Sequence, residues 1–337
     1  MKKRILCMLM ALAVLLGLLA GCASSDPLEE VELEKLTEGA GVDVDLGALM
    51  DDAVPLADLP AISTVLTTVA SGTATKSDNK KSAVIDYSNA RDGYVMAVWL
   101  AGGEARIKVV IKGPGGRTSQ YDLRRDGKYE AYPLSDGSGT YNIYIYRNTG
   151  GTKYANVVSL STDVKLVDEF APFLHPNQYV YFTPESAAVK KAEELCTGVT
   201  DNLDKVSKIY DYVINNTTYD KQKAADAKAG KLSGYVPDVD DTLKTGKGVC
   251  FDYAALMSAM LRSQNVPVKL VVGYTSNVKH AWINTYSEKE GWIEAKIYFN
   301  GKEWKLMDPT FASNGKGRSD IAQYIGNGDN YTAQNLY

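Results

Sequence analysis

Alternating hydrophobic and polar positions dominate the chain between about residues 81 and 167. Four runs in this region predict β-strands, over residues 83–87, 93–99, 105–111 and 140–146. Glycine-containing breaks separate these runs, at residues 102–103, 113–116, 126–127 and 137–139. Short strands with a turn signal about every 8–12 residues are typical of a β-sandwich. We therefore predict an all-β sandwich domain over residues 81–167. It has no His, no Cys and no grouped carboxylates, so we expect no catalytic role for it.

A helical spacing of apolar positions replaces this alternation after residue 168. Thr183 and Pro184 resemble an N-cap followed by proline at the first helical position, which predicts a helix start there. A second apolar stripe predicts a helix over about residues 203–214. Cys196 lies in the apolar stripe of the first helix, and free cysteines are among the most buried residues. We therefore expect Cys196 to be a buried structural thiol.

A third apolar run begins at Cys250, directly after a glycine-containing turn, and predicts a buried helix that ends before Pro267. Strands are then predicted over residues 268–274, 279–286, 292–299 and 303–307. Asn300-Gly301 between the last two runs predicts a two-residue hairpin, and Asp308 follows that hairpin. These elements predict an α+β domain over residues 168–337, with a core helix packed on an antiparallel sheet.

Three residues in this half have the chemistry of a nucleophilic site. Cys250 is expected at a helix N-terminus, where exposed N–H groups and the helix dipole favour the thiolate. A nucleophile needs a base, and that base needs an orienting group; His280 and Asp308 lie on the strands that follow. The backbone N–H of Cys250 is a candidate oxyanion donor, and Gly248 is expected to let a substrate approach closely. We expect the other histidine, His175, to be an exposed or capping residue.

Four short motifs in this region resemble those of a known family. They are 248–254 (Gly-Val-Cys-Phe-Asp-Tyr-Ala), 272–274 (Val-Gly-Tyr), 280–282 (His-Ala-Trp) and 308–310 (Asp-Pro-Thr). In this order they are similar to the transglutaminase-like superfamily, and residues 209–213 and 218–220 also fit its lead-in. The resemblance covers about residues 184–311. It implies a papain-like α+β fold and a catalytic triad of Cys250, His280 and Asp308.

The resemblance also implies acyl-transfer chemistry through a thioester on Cys250. Water as acceptor would make the protein a peptidase or amidase, which we expect to act on protein or cell-wall peptide; an amine acceptor would make it a crosslinking transglutaminase. The family has a second oxyanion donor whose side chain varies, and Tyr235 is a candidate for it. Two other hypotheses remain open: a non-catalytic module that binds a peptide or partner, and a silent state with Cys196 and Cys250 joined in a disulfide.

The N-terminal segment of the chain predicts the cellular location of the protein. Three basic residues at positions 2–4 precede an apolar run over 5–20, which is typical of a secretory signal. Residues 19–22 read Leu-Ala-Gly-Cys and resemble the lipobox of bacterial lipoproteins, in which Cys22 would carry the lipid. We therefore predict a signal peptide over 1–21, a flexible tether over 22–80 and a lipid anchor on the outer face of the cell membrane. An ordinary cleaved signal or an uncleaved anchor is the alternative.

The composition and charge of the chain limit the kinds of partner and cofactor that we expect. The chain of 337 residues is 45% hydrophobic and 23% charged, as expected for two globular domains. A formal net charge of −4 implies no general affinity for nucleic acid. The sequence has no metal-ligand spacing and no phosphate-binding loop, so we predict no cofactor and no metal site. It does not specify the substrate or the oligomeric state.

Overall fold

A computed structural model describes residues 30–32, 65–275, 278–294, 298–299, 304–305 and 331–337. In the N-terminal half, nine strands form two antiparallel sheets. They are β1 (Glu30–Glu32), β2 (Thr75–Ser77), β3 (Ala83–Asp86), β4 (Tyr94–Trp99), β5 (Ile107–Lys112), β6 (Thr118–Leu123), β7 (Glu130–Pro133), β8 (Gly139–Gly150) and β9 (Lys153–Val164). The five-stranded sheet has the order β1-β9-β8-β5-β6, and the four-stranded sheet has the order β2-β3-β4-β7.

The inner faces of these two sheets bury one set of side chains. Ile85 and Val95 of the four-stranded sheet belong to the same apolar cluster as Val109 and Ile143 of the five-stranded sheet. All four are at most 1% exposed. Alternation along a strand sends every second side chain into this cluster, which is why the period of two predicted these strands. The strands predicted over 83–87, 93–99, 105–111 and 140–146 are confirmed, and the domain boundaries stay a prediction.

The C-terminal half is a mixture of helices and short sheets. Its helices are α1 (Ala187–Cys196), α2 (Asn202–Asn216), α3 (Lys221–Lys228), α4 (Val239–Thr245) and α5 (Cys250–Arg262). Its strands are β10 (Thr218–Tyr219), β11 (Lys247–Gly248), β12 (Val268–Thr275), β13 (Val278–Ser287), β14 (Gly291–Ile293), β15 (Tyr298–Phe299), β16 (Trp304–Lys305) and β17 (Tyr331–Leu336). An antiparallel sheet of order β14-β13-β12-β17 packs on α5.

Helix α5 is the centre of this half. Eleven of its residues, from Asp252 to Arg262, are buried, and its apolar residues share a cluster with Leu270 of β12 and Ile283 of β13. Helices α1, α2 and α4 cover its other sides. Because nearly every face of α5 is covered, its sequence is hydrophobic all round rather than in one stripe. None of the helices within the described residues is long and apolar enough to cross a membrane.

Aromatic rings join the two halves into one core. Tyr121 of β6 stacks on Tyr179, with ring centres 5.5 Å apart, and Tyr179 lies 5.1 Å from Phe251 of α5. Tyr337, after β17, contacts both tyrosine rings at 5.4 and 4.8 Å. The orientation of α5 is therefore coupled to the sheets of the N-terminal half through packed rings.

Three sequence predictions differ from the structure in detail. Within the predicted tether, β1 pairs with β9 and β2 pairs with β3, because sheet edges offer free N–H and C=O groups. Helix α1 begins at Ala187 rather than directly after Thr183, since the carboxylate of Asp240 accepts hydrogen bonds from the N–H groups of Ala187 (3.1 Å) and Ala188 (2.9 Å). The β15–β16 hairpin is confirmed, but Phe299 pairs with Trp304. A two-residue turn at Asn300-Gly301 would pair Phe299 with Lys302, so this register shows that the prediction of that turn is wrong.

Candidate active site

Cys250 is the first residue of α5, as predicted. Two reciprocal hydrogen bonds fix this helix start: the N–H of Val249 donates to Oδ2 of Asp252 at 2.8 Å, and the N–H of Asp252 donates to the carbonyl of Val249 at 2.9 Å. Such an arrangement satisfies N–H groups that a helix start leaves without partners. The side chain of Cys250 is half-buried and its thiol is free.

Gly248 makes room for Asp252. A Cβ added at Gly248 would lie 2.6 Å from the Cβ of Asp252 and 3.2 Å from its Oδ2. We expected this glycine to let a substrate approach, and the close neighbour that the structure provides is the Asp252 side chain. A side chain at position 248 would therefore displace the carboxylate that caps α5.

Asp252 is completely buried and anchors two further side chains. Lys223 of α3 donates through Nζ to Oδ2 of Asp252 at 2.9 Å and to the Tyr235 hydroxyl at 2.8 Å. The Tyr235 hydroxyl in turn donates to Oδ1 of Asp252. Burial and this carboxylate raise the pKa of Tyr235 to about 12, so the phenol keeps its proton at neutral pH. Because that proton is given to Asp252, Tyr235 could serve an oxyanion only if this hydrogen bond broke.

Tyr219 lies beside the segment that leads into Cys250. Strand β10 pairs in parallel with β11, and Tyr219 is the direct partner of Gly248. The N–H of Asp220 donates to the Gly248 carbonyl at 2.9 Å, which fixes the register. Burial first, and the nearby Cys250 thiolate second, raise the pKa of Tyr219 above its ordinary value. The structure thus adds a phenol near the thiol, which the sequence analysis did not single out as a site residue.

His280 lies on β13 and is only 7% exposed. It pairs with Gly273 of β12, and its ring stacks on Trp282 with a centroid distance of 6.4 Å and an interplanar angle of 20°. Tyr331 of β17 packs edge-on against both rings, at 6.3 Å from His280 and 5.0 Å from Trp282. The imidazole is therefore held between aromatic neighbours rather than exposed on a mobile surface.

The structure places the predicted site residues as follows. Cys250 and His280 lie on α5 and β13, two elements that pack directly on each other, and Tyr235 is bonded to Asp252, two residues after Cys250. Asp308 and Cys22 lie outside the described residues. Cys196 is 5% exposed, and both it and Cys250 are free thiols, so the structure contains no disulfide between them.

The remaining histidine is packed at the junction of the two halves. His175 is half-buried, its Nδ1 lies 2.9 Å from the carbonyl of Ala171, and its ring lies 5.2 Å from that of Tyr94. Burial lowers the pKa of His175. It therefore closes the short 3₁₀ turn Ala171–Phe173, as a capping residue does, and is not exposed. Across the described ranges, no group of three or more His, Cys, Asp or Glu side chains is arranged to hold a metal ion.

Part of this chain is similar in sequence to known proteins. UPF0252 protein MJ1282 of Methanocaldococcus jannaschii is 29% identical over 141 residues, which are 39% of this chain and 39% of that protein. The uncharacterized protein YebA of Bacillus subtilis is 28% identical over 113 residues, 28% of this chain and 15% of that protein. The matches thus span well under half the length of these relatives.

Parts of the chain trace are also similar to those of solved structures, including the following two. One, from Cytophaga hutchinsonii, is named provisionally as a cysteine protease; it is 16% identical, with a TM-score of 0.35 over 72% of this chain and 83% of that one. The other is described as a TGase and is 19% identical, with a TM-score of 0.27 over 53% of this chain and 49% of that one. Residues 189–309 match the model of the transglutaminase-like superfamily, so this chain contains a transglutaminase-like domain.

Proposed function

We propose that the protein is a cysteine-dependent acyl-transfer enzyme in which Cys250 is the nucleophile. The observation that carries this proposal is the free thiol at the first residue of a buried helix, inside the transglutaminase-like domain. A cysteine in an apolar helix is usually buried and inert. Cys250 is instead half-buried at the N-terminal end, where the helix dipole stabilises negative charge.

His280 and Asp308 complete the proposed triad. His280 holds the proton that the leaving amine needs, and Asp308 orients the imidazole and supports its charged form. The position of β13 beside α5 supports the assignment of His280 at the level of the strand, and Ala281 and Ile283 are the β13 residues that share the apolar cluster of α5. The aromatic contacts of His280 with Trp282 and Tyr331 support it further, because they restrict the ring to few orientations.

The proposed reaction begins with attack of the Cys250 thiolate on an amide or carboxamide carbonyl. The amine leaves with a proton from His280, and a thioester remains on Cys250. Water then hydrolyses the thioester, which makes the protein a peptidase or amidase. We favour hydrolysis because water is abundant outside the cell and the sequence has no feature of an amine-acceptor pocket; protein crosslinking is the alternative.

Alkylation of the full-length protein in detergent tests the nucleophile. Iodoacetamide labelling is followed by peptide mapping over pH 5–9, in wild type, His280→Ala and His175→Ala, the last being the matched control at the other histidine. We expect Cys250 to react near neutral pH faster than free cysteine, and to lose this advantage only without His280. A Cys250 that reacts like free cysteine in all three proteins would leave a binding module as the better explanation.

A second measurement separates hydrolysis from transfer. A glutamine-containing protein such as casein is incubated with the enzyme, with and without a fluorescent primary amine. Release of new N-termini or of ammonia without amine incorporation is expected for a peptidase or amidase. Covalent incorporation of the amine would instead identify a transglutaminase.

The proposed location is the outer face of the cell membrane, through lipid on Cys22. Mass spectrometry of the N-terminal peptide from a bacterial host detects the acyl chains, and Cys22→Ala is the matched variant. We expect wild type in the membrane fraction and the variant outside it. An unmodified Cys22 preceded by residues 1–21 would refute the lipoprotein assignment.

A further inference from the structure

Asp122, near the end of β6, is connected to the start of α5 by a first route through Tyr235. A Cβ added at Gly234 would lie 3.3 Å from Oδ2 of Asp122, so the backbone of this loop lies against the carboxylate. The next residue, Tyr235, donates its hydroxyl proton to Asp252. Asp252 caps α5, whose first residue is Cys250. Only the Gly234-Tyr235 pair therefore separates Asp122 from the cap of the nucleophile helix.

A second route leads from Asp122 to Cys250 through aromatic rings. The main-chain carbonyl of Asp122 accepts a hydrogen bond from Nε2 of Gln178 at 2.5 Å. Tyr179 follows Gln178, and its ring centre lies 5.1 Å from that of Phe251, the residue after Cys250. Tyr179, Phe251 and Cys250 are all half-buried, so this route runs along the surface of the protein. Two independent sets of contacts thus place Asp122 beside the surface around Cys250.

Asp122 holds two cations at this place. Arg106 donates through Nε and Nη2 to its carboxylate at 2.5 and 2.7 Å, and Lys108 donates through Nζ to Oδ2 at 2.9 Å. Burial acts to raise the pKa of Asp122, but the hydrogen bonds and charges of Arg106 and Lys108 outweigh it and hold that pKa below its ordinary value. The carboxylate is therefore ionised at neutral pH, and the three side chains together carry one net positive charge.

Arg106 presents this positive charge to solvent. A guanidinium has five N–H groups, and the bonds to Asp122 use two of them. Because 44% of the Arg106 side chain is exposed, the group can be reached from solvent. Its plane is fixed by the paired bonds to Asp122, which reduces the entropy lost when an anion binds. Glu130, which contacts the same Gln178 as Asp122, is paired with Arg124 at 2.6 Å and does not cancel the charge.

We propose that the Arg106 cluster (Arg106, Lys108 and Asp122) binds a carboxylate of the substrate, so that the protein acts preferentially on acidic peptides. The inference rests on the proposed function, since it names the substrate class of the same site. A peptide whose scissile amide lies at Cys250 continues past Tyr179 to the Arg106 cluster. Charge complementarity selects an acidic peptide over a neutral or basic one, and the planar guanidinium matches the geometry of a carboxylate. The N-terminal half thus takes part in substrate selection, although it has no role in the chemical step.

Thiol-reactive peptides test this preference on the full-length protein in detergent. Peptidyl chloromethyl ketones place the peptide on the acyl side of Cys250, and N-iodoacetyl peptides place it on the leaving-group side. Each probe contains Glu, or its neutral isostere Gln, at the second, third or fourth residue from the reactive carbon. In wild type we expect a Glu probe of one series to alkylate Cys250 about 10-fold faster than its Gln partner. This preference should nearly disappear in about 1 M salt, because the cluster is partly exposed.

Two variants change the charge of the cluster in opposite directions. Arg106→Gln removes a cation and should reduce the preference for Glu to about twofold or less. Asp122→Asn keeps an oxygen that accepts from Arg106 but removes the negative charge, so the preference should rise above that of wild type. Arg91→Gln, at another exposed arginine, is the matched control and should keep the wild-type preference. Iodoacetamide has no charge and should label Cys250 in all these proteins within about twofold of the wild-type rate.

The results that contradict this inference differ from those that contradict the proposed function. Equal rates for Glu and Gln probes in wild type, or an unchanged preference in Arg106→Gln, would remove the cluster from substrate binding. Loss of the preference in both Arg106→Gln and Asp122→Asn would make the cluster structural, and the same loss in Arg91→Gln would indicate a general effect of charge. Iodoacetamide labelling of Cys250 that does not depend on His280 would instead contradict the proposed function, whatever the preference for Glu.

Discussion

The backbone N–H of Val249 donates a 2.8 Å hydrogen bond to Asp252, whose carboxylate is completely buried. This bond sets the direction in which the chain enters α5 at Cys250. The same carboxylate also binds Lys223 and Tyr235, so a segment outside α5 is attached to the helix start. A single buried side chain therefore determines the geometry around the proposed nucleophile.

We expect Asp252→Ala to lower the free energy of unfolding by about 3 kcal/mol, because three donors lose a buried acceptor. Asp252→Asn should cost less, since its amide oxygen can still accept from Val249. Urea unfolding measures both, with Asp211→Ala on the exposed face of α2 as the control. Asp252→Ala should also slow alkylation of Cys250. Equal stability of Asp252→Ala and the control would contradict this account.

The environment of Lys269 leads us to expect that the free energy of unfolding depends on pH. Lys269 is 7% exposed, and its Nζ lies 3.8 Å from the centre of the Trp292 ring and 3.8 Å from Oε1 of Glu294. Burial lowers the pKa of Lys269 to about 8, and Glu294 offsets only part of this effect. Between about pH 8 and its ordinary value near 10.5, the unfolded chain keeps a proton that the folded chain has lost. The contribution of Lys269 to the free energy of unfolding therefore rises with pH across that window.

Lys269→Met removes this titration. We expect the free energy of unfolding of wild type to increase relative to the variant between pH 7.5 and 9.5, by about 2 kcal/mol. Lys190→Met, at an exposed position of α1, is the control and should give a constant difference. A constant difference for Lys269→Met as well would show that Lys269 stays protonated throughout.

Arg262, at the end of α5, joins three segments through main-chain carbonyls. Its guanidinium donates to Val268 at 3.1 and 2.7 Å, to His175 at 2.8 Å and to Tyr337 at 2.6 Å. Burial alone lowers its pKa to about 9. The planar guanidinium reaches these carbonyls simultaneously, which a single ammonium group cannot do.

We therefore expect Arg262→Lys to lower the free energy of unfolding by about 2–4 kcal/mol, as buried carbonyls lose their donors. Urea unfolding measures the loss, and Arg147→Lys at an exposed position of β8 is the matched control. If Arg262→Lys unfolds within about 0.5 kcal/mol of wild type, the three carbonyls do not depend on the guanidinium.

Local patterns were sufficient to predict the elements that carry Cys250 and His280. Helix α5 follows a glycine-containing turn and is continuously apolar, and β12 and β13 are long runs rich in β-branched and aromatic residues. Helix α2 was also predicted, since its stripe is strongly periodic and Asp201 caps it within the chain. In each case, the residues that determine the element lie inside or next to it.

Elements that depend on distant partners were not predictable in the same way. The start of α1 is set by Asp240, more than 50 residues along the chain, so the nearby Thr183-Pro184 signal was misleading. The two-residue strands β10 and β11 exist only because they pair with each other. Strand β17 has mostly exposed or half-buried side chains and no clear alternation, and it forms on β12. Tyr219 and Tyr331 were therefore missed as neighbours of the site.

Gly273 of β12, the strand partner of His280, has no free space for a side chain. A Cβ added there would lie 2.0 Å from the carbonyl oxygen of Thr332, 2.8 Å from the Trp282 ring and 3.0 Å from the Cα of Ala333. The φ angle of Gly273 is not positive, so any side chain is excluded by the lack of space and not by backbone conformation. Two of the three obstacles are main-chain atoms of β17, which cannot rotate away.

Gly273→Ala should therefore separate β17 from β12 and displace Trp282 from its place beside His280. We expect a loss of about 1–3 kcal/mol in the free energy of unfolding and faster hydrogen exchange in residues 331–336, with exchange in β8 as the internal reference. Alkylation of Cys250 should lose part of its dependence on His280, because the imidazole loses the ring that restricts it. Unchanged exchange in β17 with slower alkylation would mean that the sheet adapts and that Trp282 alone transmits the effect. Unchanged exchange and unchanged alkylation would show that position 273 does not control His280.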